Sequence, residues 1–324
     1  MKRRDLLLLG LAIPFSTGRA AFAQRAGGVY RLGMLSPSAG AIERFRPILF
    51  PELARLGFNE GQNLIVEARF GATGELPALA RSLAAARPEV VIAVGPAAIR
   101  AVREAAPATP IVGAFIGEDP IAAGFAASLA RPGGTITGIV MLAPELDGKR
   151  LHLLHEAVPG IHRIAALAVN PKRDVPLLAA MRGVAERAGI ELLPFYAATA
   201  DDYPAAFAAM RGAGAGALAI ASAPELFSDA SLLAALAIEA RLPTMCEWRS
   251  MATQGCLLGY GPDFTELLRG VASYVARIFR GAWPGELPIE GPTHFEFAVN
   301  LKTARALGLT VPQSILARAD EVIE

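Results

Sequence analysis

Side chains that commonly perform catalysis or hold metals are sparse and poorly spaced in this 324-residue sequence. His152 and His155 stand at i and i+3 on a predicted helix beside Glu156, which is not the HExxH spacing of a zinc site, and no third ligand follows. No GxSxG, P-loop or GxGxxG motif follows a predicted strand. The glycine run at 212–216 follows a helix and precedes a strand, the wrong order for a phosphate cradle. We therefore expect no catalytic residues, no metal site and no cofactor.

Residues suited to holding a small ligand follow the predicted strands instead. In open parallel sheets, ligands bind beyond the carboxyl ends of the strands. The candidate positions in the first half of the chain are Ser36, Gly95, Pro96, Ala97 and Asp119. The candidates in the second half are Asn170, Ser222 and Glu247, with Tyr260 at a predicted crossover. We predict that these residues line one ligand-binding site.

In the first half, the helix start at Gly95–Ala97 and the side chain of Asp119 each have a functional and a purely structural interpretation. The helix start at Gly95–Ala97 leaves backbone N–H groups unpaired, which suits a ligand carboxylate, but an ordinary strand-to-helix turn has the same pattern. Asp119 either caps a helix predicted from Pro120 to about Ala130 or meets a ligand ammonium, and we favour the cap.

Most of the other candidates, and Trp248, also allow both a ligand-binding and a structural interpretation. Ser36 and Asn170 each precede a proline, and each either contacts the ligand or forms a turn. Glu247 is suited to binding an amine. Tyr260 either reaches the ligand from a hinge or packs between lobes. Trp248 either stacks on an aromatic ligand or fills the core, and we favour the core.

Short apolar runs such as 89–95 and 110–117 alternate with amphipathic helices, a pattern typical of a parallel sheet with helices on both faces. The alternation of strands and helices begins again near Pro144. In this second series, residues 162–171 resemble residues 30–37. This predicts an α/β fold of two doubly wound parallel-sheet lobes joined by three crossovers. The predicted lobes comprise 29–144 with 260–285, and 145–259 with 286–324. A long helix, 264–280, is assigned to the first lobe.

The N-terminus predicts an exported protein. Lys2, Arg3 and Arg4 precede an apolar run at 6–13 and the small-x-small sequence at 21–23, so we predict a signal peptide at 1–23. Its apolar run is shorter than the ~20 residues of a membrane span. The arginine pair gives a weak indication of twin-arginine export. A buried N-terminal helix is the alternative. We expect the mature protein in the periplasm.

Composition excludes several classes of protein. With 53% hydrophobic residues and a net charge of +1, the chain is too apolar to be disordered and lacks the basic surface that nucleic-acid binding requires. We expect a monomer with a small-molecule ligand. Cys246 and Cys256 permit a disulfide in an oxidising compartment, or remain two buried thiols. Their spacing fits no zinc motif.

Several long segments resemble the ABC-transporter substrate-binding family often labelled tryptophan/tyrosine transport. They are GFNEGQNLIVEARF, GEDPIAAGFAASLARPGGTITG, PELDGKRLHLLHEAVPGIHRIAAL, GYGPDF and NLKTARALGLTVPQSILARADEVIE. The resemblance covers nearly all of the predicted mature chain. It implies a periplasmic binding protein of the type I fold that delivers a small ligand to an ABC permease in the inner membrane.

Three functional hypotheses follow. The first is an exported receptor that captures an amino acid or an aromatic or carboxylate compound for an ABC importer, closing its lobes on the ligand. The second is an exported enzyme on the same architecture, for which no nucleophile–base pair is present. The third is a sensor that presents its ligand-bound form to a membrane receptor. We favour the first.

Overall fold

A computed structural model describes residues 28–141, 143–172 and 174–324, and the predicted signal peptide lies outside them. The strands are β1 (Tyr30–Ser36), β2 (Leu64–Phe70), β3 (Val90–Val94), β4 (Ile111–Ile116), β5 (Ile136–Val140), β6 (Arg163–Ala168), β7 (Glu191–Tyr196), β8 (Ala217–Ile220), β9 (Thr244–Cys246), β10 (Leu258–Pro262), β11 (Ile289–Glu290), β12 (Phe295–Asn300) and β13 (Glu321–Ile323). The helices are α1 (Ala39–Arg55), α2 (Leu76–Ala85), α3 (Gly95–Ala105), α4 (Ala143–Ala157), α5 (Val175–Ala188), α6 (Tyr203–Gly212), α7 (Pro224–Ser228), α8 (Ala230–Glu239), α9 (Arg249–Thr253), α10 (Phe264–Phe279), α11 (Leu301–Leu307) and α12 (Gln313–Leu316).

The first sheet has six strands in the order β11-β5-β4-β3-β1-β2, and all neighbouring strands pair in parallel. Its apolar strands supply two buried faces, because successive residues of a strand point to opposite sides. In β3, Val90, Ile92 and Val94 join the core that includes α1 and α10. Val91 and Ala93 join the core that includes α2 and α3.

The second sheet has seven strands in the order β13-β12-β10-β9-β8-β6-β7. Its pairs are parallel except that β12 runs antiparallel to β10. Helix α4 packs against β8, β9 and β10 and against α5. Two parallel-dominated sheets flanked by helices confirm the predicted α/β class.

The strand pairings correct two of the predicted segment boundaries. The predicted boundary assigns Tyr260 to the first lobe, but β10 pairs with β9 and β12 in the second sheet. Residues 286–290 are predicted in the second lobe, yet β11 pairs with β5 in the first sheet. A strand of two residues has no periodicity by which a sequence could reveal it. The chain crosses between the sheets after β5, after β10 and after β11.

Two predicted helices differ from the structure. No helix forms at 120–130; the chain turns through Gly124, whose φ is +67°, and Phe125 and Ala126 are buried. Burial of these side chains and the left-handed glycine end the helical pattern after a single turn. The sequence also predicts a helix from Pro224 to Ala240, and the structure divides this segment at Asp229 into α7 and α8.

Candidate functional site

The carboxyl ends of the parallel strands in the two sheets face each other. Ser38, two residues after β1, places its hydroxyl oxygen 2.5 Å from the hydroxyl oxygen of Ser228 in α7. Gly95 directly follows β3, and a Cβ at this position would stand 3.8 Å from the ring of Pro224 at the start of α7. Ligands of open parallel sheets bind beyond these strand ends. The junction between the two sheets is therefore the candidate ligand site.

Five aromatic side chains occupy the centre of this junction, and we call them the aromatic cluster. The first sheet's side supplies Phe45, Phe115 and Phe264, and the second supplies Phe227 and Trp248. Neighbouring ring centroids lie between 5.1 and 5.9 Å apart. Most of the pairs are tilted or edge-to-face, an arrangement that the ring quadrupoles favour. The cluster is apolar and polarisable, and its rings pack on one another across the junction.

Phe115 reaches the cluster through an unusual backbone. Its φ of +59° lies in the left-handed region, which is uncommon for a residue with a side chain. The register of β4 against β5 shifts between Gly113 and Ile116. Opposite, a Cβ at Gly138 would lie 2.1 Å from the Gly113 carbonyl oxygen, so only glycine fits. Such backbone strain costs about 1–3 kcal/mol and concentrates at functional sites, and a bulge commonly re-aims a side chain.

A buried ionic network adjoins Trp248 on the second sheet's side. Arg150 of α4 is 1% exposed, and its Nη1 donates to the Asp147 carboxylate and to the Ser222 hydroxyl, each at 2.6 Å. Its Nε donates to the Tyr260 carbonyl oxygen at 2.7 Å, and its Nη2 donates to the Glu247 carbonyl oxygen at 3.0 Å. We call Asp147, Arg150, Ser222 and Glu247 the Arg150 network. Such hydrogen bonds are the condition for burying an ion pair.

Glu247 adds a second carboxyl group to a network with one cation. Burial raises the pKa of its carboxyl from 4.5 to about 7; the charge of Arg150 opposes this increase and the charge of Asp147 adds to it. Hydrogen bonds from Ser222 and Trp248 to the Glu247 carboxyl also lower the pKa. Burial likewise raises the pKa of Asp147, against Arg150. With both carboxyls ionised, the network holds one more negative charge than Arg150 neutralises, so a ligand cation is favoured here.

The glycines of strand β10 allow the backbone of Glu247 and Trp248 to pack closely against that strand. A Cβ at Gly261 would stand 2.1 Å from the Glu247 carbonyl oxygen, and a Cβ at Gly259 would stand 2.3 Å from the Trp248 carbonyl oxygen. Neither position tolerates a side chain. Cys246, which directly precedes Glu247, forms a disulfide with Cys256. The Cα atoms of the two cysteines are 6.4 Å apart. The alternative of two free thiols is thereby excluded.

Arg44 of α1 reaches across the junction. Its Nη2 donates to the carbonyl oxygen of Ser228 and to Oε1 of Gln254, each at 3.1 Å. The guanidinium carbon lies 4.4 Å from the centroid of the Phe227 ring. All three partners belong to the second sheet's side of the junction. These contacts form only while the two sheets are close together.

The structure brings some of the predicted residues to the junction. Ser222 and Glu247 meet in the Arg150 network, and Gly95 lies against α7. Pro96 and Ala97 are half-buried in the first turn of α3. Their contact with a ligand stays a prediction.

The remaining predicted residues have other partners. The Ser36 hydroxyl donates to the Ser38 carbonyl oxygen and accepts from the Ser38 amide, so it forms a turn. Asn170 is exposed, and its side-chain oxygen accepts from an amide two residues on. Asp119 is exposed and accepts from the amide of Ile121 at 2.8 Å, which is a capping bond, although a single turn follows it instead of the predicted helix. The Tyr260 hydroxyl accepts from Lys149 at 2.6 Å on the α4 side of the sheet.

Several residues of the junction are absent from the predicted set. Arg150 and Asp147 form an i,i+3 ion pair on α4, and that spacing was visible in the sequence. Phe227 lies in α7, five residues after Ser222. A search for ligand contacts that continued past the strand end into the following helix would include it. Phe115 and Arg44 have no such signal, because an apparently regular strand conceals the bulge and a surface arginine on a helix is commonplace.

A separate groove of about 570 Å³ lies between α4 and α5. It is lined by Gly148, Lys149, His152, Ala180, Val184, Arg187 and Ala188. None of these residues belongs to the aromatic cluster or to the Arg150 network, and the strand carboxyl ends do not open into it. We assign the candidate site to the junction because charge, aromatic rings and strand ends converge there.

Two features are absent from residues 28–141, 143–172 and 174–324. No helix in these ranges is both long and apolar enough to cross a bilayer. No group of three or more His, Cys, Asp or Glu side chains there is arranged to hold a metal ion.

Known proteins with similar sequences and structures include ligand binders. The tyrosine-binding protein of Clostridioides difficile (strain R20291) is 21% identical over 260 residues, which cover 78% of this chain and 73% of that protein. An ABC domain from Streptococcus pneumonia, solved in complex with L-Trp, has a TM-score of 0.81 at 21% identity, covering 91% of this chain and 100% of the other. An open, ligand-free substrate binding protein with adhesive properties from Clostridium difficile has a TM-score of 0.62 at 18% identity, covering 91% and 99%. These structural likenesses show a shared type I periplasmic binding fold.

The sequence also matches a family as a whole. The model of the family described as ABC transporter substrate binding protein matches residues 49–323. This range includes the entire Arg150 network and every member of the aromatic cluster except Phe45. The chain belongs to the ABC transporter substrate binding protein family.

Proposed function

We propose that this protein captures an α-amino acid with an aromatic side chain and delivers it to an ABC importer. The observation that carries the proposal is the junction itself, where an aromatic cluster lies beside a buried network with one carboxyl group in excess. An aromatic ring and an ammonium group on one small molecule match these two features. The tyrosine and L-Trp in the names of the two relatives support the same class of ligand.

Each group of such a ligand has a complementary position. Trp248 and Phe115 offer faces to the ring. Glu247, directly before Trp248, offers a carboxylate to the ammonium, which in turn would lower the pKa of that carboxyl. At the start of α3, Pro96 has no N–H, so the backbone amides of Ala97 and Ala98 and the positive end of the helix dipole are the groups proposed to meet the carboxylate.

Ligand capture is proposed to proceed by closure of the two sheets. Arg44, Ser38 and Gly95 make the contacts across the junction that an open form lacks. The higher TM-score to the L-Trp complex than to the open, ligand-free protein is consistent with a closed arrangement. A ligand shifts such an equilibrium by its differential affinity for the closed form.

The family supports a permease in the inner membrane as the partner of the closed form. The proposed setting is the periplasm, reached through the predicted signal peptide at 1–23, and the proposed state is a monomer. Uptake of labelled L-Trp by vesicles containing the permease and its ATPase should require this protein. Ligand binding without any permease-dependent uptake would instead indicate a sensor.

Calorimetric titration with L-Trp, L-Tyr and L-Phe tests the ligand class. Tryptamine lacks the carboxylate and indole-3-propionate lacks the amine, so each removes one proposed contact. Glu247→Gln should weaken L-Trp binding by about 10- to 100-fold, the equivalent of one charge-assisted hydrogen bond. Glu104→Gln, at an exposed position on α3, is the matched control.

Two results would count against the proposal. If no aromatic amino acid binds or raises the melting temperature at millimolar concentration, the ligand class is wrong. If indole-3-propionate binds as tightly as L-Trp, Glu247 does not hold an ammonium group.

A further inference from the structure

The disulfide brackets one short segment of the second sheet. Cys246 is the last residue of β9, and Cys256 lies two residues before β10. Both cysteines are fully buried. The bond therefore closes the β9–α9–β10 connection at its two ends.

The bracketed segment, 247–255, carries three residues of the junction. Glu247 belongs to the Arg150 network, and Trp248 belongs to the aromatic cluster. At the far end, Gln254 accepts a hydrogen bond from Arg44 on the opposite side of the junction. The carboxyl group, the ring and the cross-junction contact thus share one loop.

The strand that leads into this segment is weakly tethered by its backbone. Strand β9 has three residues, and only Thr244 and Met245 are in register with β8. Only Met245 and Cys246 are in register with β10. Beyond Cys246, the chain leaves the sheet and makes its close approach to Gly259 and Gly261.

We propose that the Cys246–Cys256 disulfide is a positioning bond for the ligand site. It holds the bracketed segment so that Glu247 and Trp248 present to the ligand while Gln254 meets Arg44. Without the bond, the segment samples further conformations and the binding-competent fraction falls. The apparent dissociation constant then rises in inverse proportion to that fraction. The inference rests on the proposed function, since it assigns the bond a role in that same site.

The test compares the wild-type protein with the double variant Cys246→Ala/Cys256→Ala. Both are examined well below their melting temperatures, with circular dichroism to establish the folded state. The affinity of each protein for L-Trp is measured by calorimetry. Two readouts need no ligand: hydrogen exchange of the amides at 247–255, and the emission of Trp248 with Trp283→Phe removing the second tryptophan.

A control separates positioning from stability. Ile164→Ala, a fully buried position in β6 of the same sheet, lowers the melting temperature without touching the bracketed segment. Refolding the wild-type protein in the reductant TCEP leaves the disulfide unformed and keeps the volume of both side chains. It replaces the double variant if that variant does not fold.

We expect the double variant to remain folded, with Kd for L-Trp raised about tenfold if the competent fraction falls to about a tenth. Exchange at 247–255 should quicken and Trp248 emission should shift to the red, while Ile164→Ala changes neither. Unchanged Kd and exchange with a lower melting temperature would overturn the proposal. So would failure of both bond-free forms to fold, because the bond would then be structural. If the wild-type protein binds no aromatic amino acid, the proposed function fails, and exchange and emission alone decide the role of the bond.

Discussion

Glu247→Gln should change how the stability of the protein depends on pH. Glu247 as a whole residue is 8% exposed; its carboxyl has an ordinary pKa of 4.5 in the unfolded chain, and burial raises this pKa to about 7 in the folded protein. Between these values the folded state binds more protons than the unfolded state. The free energy of unfolding therefore falls as pH rises through this window.

The size of this effect follows from the same two pKa values. Each pH unit of difference is worth about 1.4 kcal/mol, so Glu247 removes roughly 3 kcal/mol of stability between pH 4.5 and pH 7. Glutamine keeps the shape of the side chain and never ionises. The variant should therefore match the wild type near pH 5 and exceed its stability by roughly 2–3 kcal/mol at pH 8. Asp147, whose pKa burial also raises, leaves part of the slope in place.

Urea unfolding at pH 5, 6, 7 and 8, followed by circular dichroism without ligand, measures the difference. Glu104→Gln, on the exposed face of α3, should follow the wild-type curve. Parallel curves for wild type and Glu247→Gln across the whole range would refute the reasoning. Such a result would mean that the pKa of the Glu247 carboxyl stays near 4.5 in the folded protein, because water solvates the carboxylate or Arg150 compensates its charge.

Three further substitutions test the junction. Arg44→Ala removes two hydrogen bonds and a cation–π contact across the junction, so Kd for L-Trp should rise about tenfold by calorimetry. Arg150→Met leaves the fully buried Asp147 without its cation, and urea unfolding should show a loss of about 3–5 kcal/mol. Gly138→Ala forces a Cβ against the Gly113 carbonyl, and thermal unfolding should show a loss of about 2–4 kcal/mol.

Matched controls and contradicting results make these substitutions decisive. Arg46→Ala, which removes an exposed pair with Glu60, should leave Kd unchanged; equal affinities in Arg44→Ala and wild type would exclude a role in closure. Gly134→Ala meets no atom within 4 Å and should be neutral. A loss below about 1 kcal/mol in Arg150→Met would show that water or a rearranged partner reaches Asp147.

Most of the fold could be predicted because its signal is local. Apolar runs such as β3 and β4 have the nearly continuous burial of parallel strands, and α10 forms within the predicted range 264–280. The exceptions are segments whose structure depends on distant partners. Strand β11 exists only because β5 offers it an edge, and the turns after Asp119 replace a helix because Phe125 and Ala126 pack into the core.

The site was less predictable for the same reason. The strand-end rule located Ser222 and Glu247, because the rule depends on chain order alone. It could not say that the Ser36 hydroxyl is occupied by its own turn or that the Tyr260 hydroxyl meets Lys149. The orientation of a side chain at a strand end depends on the neighbouring element, and that element is often distant in sequence.

The amino-acid sequence is sufficient to predict the alternation of strands and helices, the family, and the strand ends near which a ligand is expected. Three features appear only in the folded molecule: Phe115 leaves a bulge to meet Trp248, Arg150 bonds both the Asp147 carboxylate and the Glu247 carbonyl oxygen, and Cys246 pairs with Cys256. Periodicity is set within a few residues of chain, whereas these contacts join residues that only the approach of two sheets or two strands brings together.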